Sequence, residues 1–153
     1  MDSLSHEKRS WLMSRIKSTD TIPEMRVRSA LHRAGYRFRL HMKSLPGKPD
    51  IVLPQYKIVI FVHGCFWHRH QNCSKATMPT THVEFWRHKF ADNVSRDKCV
   101  QNELKKRGWQ VIVVWQCQLK NVDTFDQLFL LLSKQRKCEN GKHIVADEGG
   151  SEK

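Results

Sequence analysis

The fold of this chain is decided by two adjacent apolar runs, which read Asp50-Ile51-Val52-Leu53-Pro54-Gln55-Tyr56-Lys57-Ile58-Val59-Ile60-Phe61-Val62-His63. The short turn between the two runs predicts a β-hairpin. The second run, residues 58–62, contains no polar side chain, which is typical of a strand that is covered on both faces. We therefore expect this hairpin to lie inside a sheet that is flanked by helices.

Helical patterns precede and follow the hairpin. Residues 21–24, Thr-Ile-Pro-Glu, have the spacing of a capping box with proline in the first turn, and an apolar stripe follows until Gly35. Residues 81–84, Thr-His-Val-Glu, repeat the capping-box pattern and predict a long helix that runs to Arg107. A final amphipathic helix is indicated by Val122, Phe125, Leu128, Phe129 and Leu132.

Two further segments have the pattern of strands. Residues 36–41 alternate apolar and basic side chains, which predicts a strand with one basic face. Residues 111–115, Val-Ile-Val-Val-Trp, predict another buried strand that ends beside Cys117. Together with the hairpin and the helices, these segments predict an α/β fold with a central mixed β-sheet flanked by helices.

The chain divides into three parts by composition. Residues 1–18 form a basic segment, residues 19–136 carry the patterns of one folded domain, and residues 137–153 are predicted to be a polar, flexible tail. The basic segment fits either a helical arm that lies on DNA or a solvated leader with a few apolar contacts to the core. Its residues alone leave both interpretations open.

Charge and cysteine usage limit the classes of partner and compartment. The formal net charge is +12 at pH 7, which favours a polyanion such as nucleic acid over an acidic membrane surface. The longest apolar runs fall far short of the ~18 residues of a membrane span, and no secretory signal is visible. Five cysteines, an odd number, argue against a disulfide framework. We expect a reduced, cytoplasmic protein that does not enter a membrane.

Residues 63–73 concentrate chemically active side chains directly after the buried strand, in the order His-Gly-Cys-Phe-Trp-His-Arg-His-Gln-Asn-Cys. Thiolates and imidazoles are zinc ligands, and a histidine that is free of zinc can transfer protons. The adjacent Phe and Trp side chains are too large and apolar to be left exposed without a partner surface. The segment therefore predicts a functional loop that is stiffened by a metal.

Three acidic residues occupy positions that are unusual for a charged side chain or lie near the predicted sheet edge at His63. Asp97 falls on the apolar stripe of the long helix, and Glu24 shares a helix face with predicted core residues. The structural alternatives are a helix-capping role for Glu24 and an ion pair of Asp97 with Arg96 or a neighbouring lysine. Asp50 opens a strand whose return leg ends at His63, which brings a third acid to the same edge of the sheet. Carboxylates that converge with histidines suit a hard cation such as Mg²⁺.

This set of residue types suits hydrolysis of a phosphodiester bond. The reaction needs a nucleophilic water, neutralisation of charge on the phosphate and help for the leaving oxygen, and Mg²⁺ held by carboxylates supplies the last two. A nearby histidine, with an unperturbed pKa of about 6.5, can take the proton from the attacking water.

Several motifs resemble those of a known nuclease family. Pro49-Asp50, the hairpin and the strand that ends at residues 61–63 look like a variant of the PD-(D/E)xK nuclease core, with Phe61 and His63 where Glu and Lys usually stand. The chain from about Arg9 to Leu119 resembles very-short-patch-repair (Vsr) endonucleases. The motifs that carry this resemblance are residues 21–24, His63-Gly64-Cys65-Phe66-Trp67-His68, Glu84-Phe85-Trp86, Asn93-Val94, Arg96-Asp97, Gly108-Trp109 and Val114-Trp115.

The resemblance implies a restriction-endonuclease-like fold and strand-specific nicking of duplex DNA 5′ to the T of a T:G mismatch, the lesion left when 5-methylcytosine deaminates. Residues 19–136 would then be a nuclease domain and residues 1–18 a DNA-contacting arm. The enzyme would act as a monomer in the bacterial cytoplasm, with mismatch-repair proteins as candidate partners. Two alternatives stay open: a Vsr-like restriction or nicking endonuclease on normally paired sites, and a noncatalytic zinc-dependent DNA-binding module.

The resemblance also assigns catalytic roles. It implies that Mg²⁺ is bound directly by Asp50 and by the main-chain carbonyl of Val62, and that the general base is His68. The family usually has Thr at position 62, but a main-chain carbonyl does not depend on the side chain. The water molecules around the metal would be held by Glu24, His63 and Asp97.

DNA contacts are implied in the same way. Phe66, Trp67 and Trp86 match residues that wedge into the base stack beside the mismatch, where an aromatic plane can replace lost stacking. Asn93 matches a base-contacting position. Met13, in the basic arm, would approach from the minor-groove side.

The resemblance implies a structural zinc site formed by Cys65, His70, Cys73 and Cys117. One residue more than in the best-known member separates the histidine from the second cysteine, which leaves His68 as a competing ligand, and we favour His70. Two other thiols have no such neighbours in the sequence and are predicted to be ordinary cysteines, Cys99 and Cys138.

Overall fold

A computed structural model describes residues 5–14 and 19–144, without the side chains of Arg9, Met13 and residues 136–144. Four strands form one mixed sheet in the order β1-β2-β3-β4. Antiparallel pairing joins β1 to β2 and β2 to β3, whereas β3 and β4 are parallel. The α/β class with a mixed sheet is therefore confirmed. The strands are β1 (Arg39–Leu40), β2 (Ile51–Leu53), β3 (Ile58–His63) and β4 (Gln110–Trp115).

The helices lie on both faces of the sheet. On one face, α2 and α4 pack on the side of β3 that carries Ile58, Ile60 and Val62. On the other face, Leu104 of α3 packs with Val59 and Phe61. Because side chains alternate along a strand, His63 follows Val59 and Phe61 toward the α3 side. The helices are α1 (His6–Ser14), α2 (Ile22–Arg33), α3 (Val83–Lys106) and α4 (Val122–Ile144).

The two predicted capping boxes have different outcomes. Thr21 is the N-cap of α2, and its hydroxyl accepts a hydrogen bond from the Glu24 N–H, so the predicted cap is confirmed. The reciprocal bond differs, because the Glu24 carboxylate accepts from the Asp20 N–H instead of the Thr21 N–H. The second prediction is wrong, because the N-cap of α3 is His82, in the left-handed region at φ 52°, with no side-chain cap. The helix starts one position later than the pattern requires, so Glu84 no longer stands three residues after the cap.

Two strand predictions need correction. The segment predicted as a strand over residues 36–41 pairs only at β1, because Tyr36 and Phe38 pack against the core and His41 turns into the left-handed region at φ 46°. The β4 strand was expected to be buried, but within it Val114 is buried while its neighbours are half-buried or exposed. The reason is topological, since β4 lies at the edge of the sheet and pairs only with β3.

Both terminal segments of the sequence-based division contain helical residues. Helix α4 continues to Ile144 and so includes residues 137–144 of the predicted tail. Lys, Arg, Glu and Gln favour helix even without burial. The predicted arm contains helix α1, and its contact with DNA stays a prediction. Across residues 5–14 and 19–144, no helix has the length and apolar character needed to span a membrane.

Candidate active site and metal centre

A cleft of about 900 Å³ opens where β2 begins and β3 ends. The antiparallel hairpin places the start of one strand beside the end of the other. The first turn of α2 and the middle of α3 close the cleft from either side. All five residues predicted to be catalytic line this cleft, namely Glu24, Asp50, His63, His68 and Asp97.

Asp50 is tied to the neighbouring strand. Its Oδ2 accepts a hydrogen bond of 2.7 Å from the Val62 N–H, which holds the carboxylate at the end of β3. Burial raises the pKa of Asp50 from 3.8 to about 6, although the Val62 bond favours the ionised form, and the negative charge of Glu24 adds to the increase. A divalent cation beside this carboxylate would compensate both effects, so the site fits a metal.

Glu24 is buried with only 2% of its surface exposed. Its Oε2 accepts hydrogen bonds from the Asp20 N–H at 3.1 Å and from Arg28 Nη2 at 2.9 Å. His41 Nε2 lies 3.5 Å from the same oxygen. Glu24 therefore makes a capping contact at the start of α2, as the structural alternative to a metal-site role predicted. It also lines the cleft.

Two stacked imidazoles and one carboxylate form the other wall of the cleft. The rings of His63 and His68 lie parallel, with centroids 3.9 Å apart. Burial and, to a lesser extent, the neighbouring His68 lower the pKa of His63 from 6.5 to about 4, so His63 is neutral at pH 7. His68 Nδ1 lies 2.7 Å from Asp97 Oδ2. Asp97 therefore pairs with His68, and its alternative role as an ion-pair partner of Arg96 or a neighbouring lysine is wrong.

The pairing of His68 with Asp97 determines which ring nitrogen is available. The Asp97 carboxylate accepts a hydrogen bond from Nδ1–H, so Nε2 keeps its lone pair for the cleft. A carboxylate that holds an imidazole in one tautomer also stabilises the imidazolium that forms when the ring takes a proton. The pair therefore has the geometry of a general base.

A second group of metal-ligand side chains lies behind the histidine loop. Its four donor atoms come within 4.8 Å of one another, and His70 Nδ1 lies 3.3 Å from Cys117 Sγ. The residues are Cys65, His70, Cys73 and Cys117. His70 is the histidine that the structure brings to the thiols, whereas His68 pairs with Asp97. The arrangement fits a tetrahedral metal ion, because zinc with ligand bonds of ~2.0–2.3 Å requires donors spaced in this range.

The thiols of this group interact strongly with one another. Burial, together with the neighbouring Cys65 and Cys73, raises the pKa of Cys117 to about 11. A backbone hydrogen bond from Lys75 lowers the pKa of Cys73. Three thiolates cannot be brought together without a cation, so the cluster could hold a metal ion that deprotonates them.

An aromatic cluster borders the cleft on the α3 side. Phe66 contacts Trp67, Trp86 and Phe90 edge-on, with centroids 5.1–5.8 Å apart. Phe85 extends the cluster to the surface and is 59% exposed. Trp67 lines the cleft itself. The cluster thus presents a partly exposed apolar face next to the acids and histidines of the cleft.

The comparisons with known proteins agree with this geometry. Residues 1–75 match the family model described as "DNA mismatch endonuclease Vsr". The chain is 44% identical over 148 residues to "DNA mismatch endonuclease Vsr" of Escherichia coli (strain K12), covering 95% of this chain and 90% of that protein. The chain belongs to the Vsr family of DNA endonucleases.

Other relatives of this Vsr-family chain are nicking enzymes. It is 47% identical over 125 residues to "Type II nicking enzyme V.XorIIP" of Xanthomonas oryzae pv. oryzae, covering 82% of this chain and 91% of that protein. It is also 47% identical over 120 residues to "Type II nicking enzyme V.NmeAIP" of Neisseria meningitidis serogroup A, covering 78% and 85%. Membership of this family shows that the protein is a DNA endonuclease and supports DNA nicking as its activity. It overturns the alternative of a noncatalytic DNA-binding module.

The fold also has a counterpart among solved structures. The catalytic domain of the homing endonuclease I-Bth0305I superposes with a TM-score of 0.54 at 21% sequence identity, covering 76% of this chain and 98% of that domain. This likeness confirms the predicted nuclease-type fold.

Four other residues were singled out in the sequence, two for DNA contacts and two as ordinary cysteines. Asn93 lies on α3, and its amide nitrogen donates to the Trp67 carbonyl at 3.1 Å, so it supports the aromatic loop. The side chain of Met13 lies outside the described residues. Cys99 is exposed on α3, away from the thiol cluster, as expected of an ordinary cysteine. The side chain of Cys138 is not described.

The sequence did not single out three residues that hold this site together. Arg28 and His41 contact the buried Glu24. The i,i+4 spacing of Glu24 and Arg28 on one helix is the sequence signal that could have indicated their ion pair. Arg69 donates to the carbonyls of Phe66, Ala76 and Thr77. Its guanidinium also lies 4.1 Å from the Phe90 ring centroid. No local pattern identifies Arg69, because its partners come from the turn that contains Phe66, from the adjacent residues 76 and 77, and from helix α3.

Proposed function

We propose that this Vsr-family endonuclease nicks one strand of duplex DNA 5′ to the T of a T:G mismatch in a Mg²⁺-dependent reaction. The observation that carries the proposal is the convergence of three carboxylates and two imidazoles in one cleft beside an aromatic cluster. The similarity to a protein named as a DNA mismatch endonuclease supports the mismatch as the target. The biological role would be very short patch repair after deamination of 5-methylcytosine.

The metal in the cleft would be held by Asp50 and the main-chain carbonyl of Val62. Mg²⁺ bound there supplies charge neutralisation on the phosphate and assistance to the leaving oxygen. The site offers hard oxygen donors and a desolvated carboxylate whose pKa is raised to about 6, which suits a hard divalent cation. Glu24 and Asp97 add negative charge on either side of the cleft.

Proton transfer is assigned to His68. Its Nε2 takes the proton from the attacking water while Asp97 accepts the hydrogen bond from Nδ1–H at 2.7 Å. His63 stacks on His68 and stays neutral, so it adds no positive charge that would weaken the base. Its ring nitrogens are available to hold water in the cleft together with Glu24.

The aromatic cluster would recognise the distorted base step. Trp67, Phe66 and Trp86 are half-buried and in mutual contact, so they form a rigid wedge that can enter the base stack. Lys89 Nζ lies within 6 Å of the ring centroids of Trp67, Trp86 and the neighbouring Phe85, which places a cation for the phosphate backbone next to the wedge. Asn93 and the arm around Met13 would add base and minor-groove contacts.

The thiol cluster would hold a structural Zn²⁺. Three cysteines and one histidine form a closed ligand set, and no position is left for a substrate. The ion would tie the histidine loop to the residues after β4. It would thereby fix the loop that carries His68 and Trp67.

A second candidate function is nicking at normally paired sites. The observation that favours it is that relatives as similar as 47% are named as Type II nicking enzymes. The catalytic cleft would be the same in both cases, and only the recognised duplex would differ. In either case we propose a monomer that works in the bacterial cytoplasm, with mismatch-repair proteins as candidate partners for the repair role.

One nicking assay separates these functions. Duplexes with T:G, U:G and C:G at one position, in several sequence contexts, are incubated with purified protein with or without added Mg²⁺. Strand-specific nicking of T:G that requires Mg²⁺ and is absent in Asp50→Ala, with DNA binding retained, supports the proposal. Equal nicking of the C:G duplex would favour the paired-site function, and unchanged cleavage by Asp50→Ala would remove the metal site.

A further inference from the structure

Asp20, Glu24 and His41 form a further cluster of potential metal ligands at the cleft, with donor atoms within 4.8 Å of one another. A cation from the protein already serves this cluster. Arg28 Nη2 lies 2.8 Å from Asp20 Oδ1, 2.9 Å from Glu24 Oε2 and 3.0 Å from His41 Nε2. The guanidinium therefore takes the place that a second metal ion would occupy.

The contact with Arg28 determines the tautomer of His41. A guanidinium is always charged and can only donate, so His41 Nε2 must accept and the ring proton lies on Nδ1. That Nδ1 faces Asp50 Oδ1 at 3.9 Å. A chain of contacts thus leads from Arg28 through His41 to Asp50, while the same guanidinium nitrogen holds Glu24 directly.

The cluster is maintained in spite of two unfavourable features. Arg28 is 11% exposed, and its Nε is buried without a hydrogen-bond partner among the described residues. His41 adopts a left-handed backbone at φ 46°, which is unfavourable for a residue other than glycine. Such features persist where the surrounding structure enforces them, and they concentrate at functional sites.

We propose that Arg28 is a positioning residue for the nicking reaction. It fills the cation position between Asp20, Glu24 and His41, and it holds Glu24 by Oε2, which leaves Oε1 for water in the cleft. Its contact with His41, whose Nδ1 lies 3.9 Å from Asp50 Oδ1, adds only a weak electrostatic link to the Asp50 carboxylate. This proposal rests on the proposed roles of Glu24 and Asp50 in the reaction and adds the residue that aligns Glu24.

A double-mutant cycle tests this role on whichever duplex the wild-type protein nicks, so the result does not depend on the T:G assignment. The variants are Arg28→Met, Glu24→Gln and the two combined, with Arg26→Met, an exposed arginine of the same helix, as the matched control. Single-turnover rates at saturating DNA, DNA affinity and thermal unfolding are measured for each. Met keeps much of the apolar stem of Arg and removes the charge and the hydrogen bonds.

We expect Arg28→Met to lower the single-turnover rate about 10- to 100-fold, the usual loss for a group that orients catalytic ligands, with DNA affinity unchanged. In the Glu24→Gln background the same substitution should cost no more than about 3-fold, because two residues that act together are not additive. Arg26→Met should behave as wild type.

Equal losses from Arg28→Met in the two backgrounds would overturn the proposal, as would an unchanged rate. A loss confined to DNA affinity would assign Arg28 to binding instead and would also overturn it. If Arg28→Met alone is too unstable to purify, the combined variant is compared with Glu24→Gln, since removing both buried charges avoids an unpaired one. Similar rates of those two then support the proposal, and a much slower combined variant contradicts it.

Discussion

The Asp50 carboxylate is held by the Val62 N–H and is poorly hydrated, so its protonation couples the active site to folding. The pKa is raised from 3.8 to about 6 in the folded protein. Below pH 3.8 the folded and unfolded states both carry the proton. Between pH 4 and 6 the unfolded state loses it first, so stability decreases as pH rises.

We therefore predict that Asp50→Asn stabilises the protein at pH 7 without added Mg²⁺ by about 3 kcal/mol, and that the difference vanishes near pH 4. Asparagine keeps an oxygen for the Val62 N–H and removes the buried charge. Urea unfolding at several pH values measures the effect, with the exposed Asp126→Asn as the control. A pH-independent difference between Asp50→Asn and wild type would contradict the raised pKa.

The surroundings of the stacked His63 and His68 rings determine how each imidazole can act. His63 and His68 differ in their surroundings, because one is 5% exposed and the other pairs with Asp97. Two parallel rings 3.9 Å apart cannot both carry charge without repulsion. The sequence predicted that the histidines of this loop would serve different roles. Burial in the folded chain is what keeps His63 neutral.

The loop after β3 joins the two proposed sites into one element. Trp115, at the end of β4, stacks on His70 with centroids 4.2 Å apart and meets His63 edge-on at 5.2 Å. A single indole therefore connects the thiol cluster with the catalytic histidines. Metal binding at one site should stiffen the other.

We predict that Cys73→Ser loses most of the bound zinc, from about one equivalent in the wild type, and lowers the melting temperature and the nicking rate together. The exposed Cys99→Ser should match the wild type in all three properties. Metal analysis by mass spectrometry, thermal unfolding and single-turnover nicking provide the measurements. Full zinc retention in Cys73→Ser would contradict the ligand set.

The aromatic cluster leads to a prediction about mismatch recognition. Trp67→Ala should reduce nicking of T:G duplex about 10- to 100-fold, because stacking of one base on an aromatic ring contributes ~1–3 kcal/mol. Nonspecific duplex binding should change by less than about 3-fold, since it depends on phosphate contacts. Leu130→Ala, an exposed apolar residue of α4, is the control. Equal losses in nicking and in nonspecific binding would reject the wedge.

For the molecule as a whole, the net charge of +12 governs encounter with DNA. We predict that nonspecific duplex binding weakens about 10³-fold between 50 and 200 mM salt, as expected when roughly six phosphates are contacted. Lys89→Gln should reduce the slope of log affinity against log salt by about one, whereas Trp67→Ala should leave it unchanged. Fluorescence anisotropy at several salt concentrations measures both, and a salt-independent affinity would contradict an electrostatic interface.

Local pattern was sufficient for the hairpin, for α2 with its Thr21 cap and for the class of the fold, because alternation, capping and apolar runs report interactions between near neighbours. Family motifs identified the candidate acids and histidines. The pattern failed where long-range contacts dominate: the start of α3 at a left-handed His82, and the exposure of β4 at a sheet edge.

The convergence of Asp50, Glu24 and Asp97, the choice of His70 for the thiol cluster and the role of Arg28 all required the folded chain. These contacts join residues that are distant in sequence, and their distances depend on how α2 and α3 pack on opposite faces of the sheet. A linear sequence specifies which side chains are available for chemistry. Packing in three dimensions specifies which of them meet, which are deprived of water and therefore which carry charge.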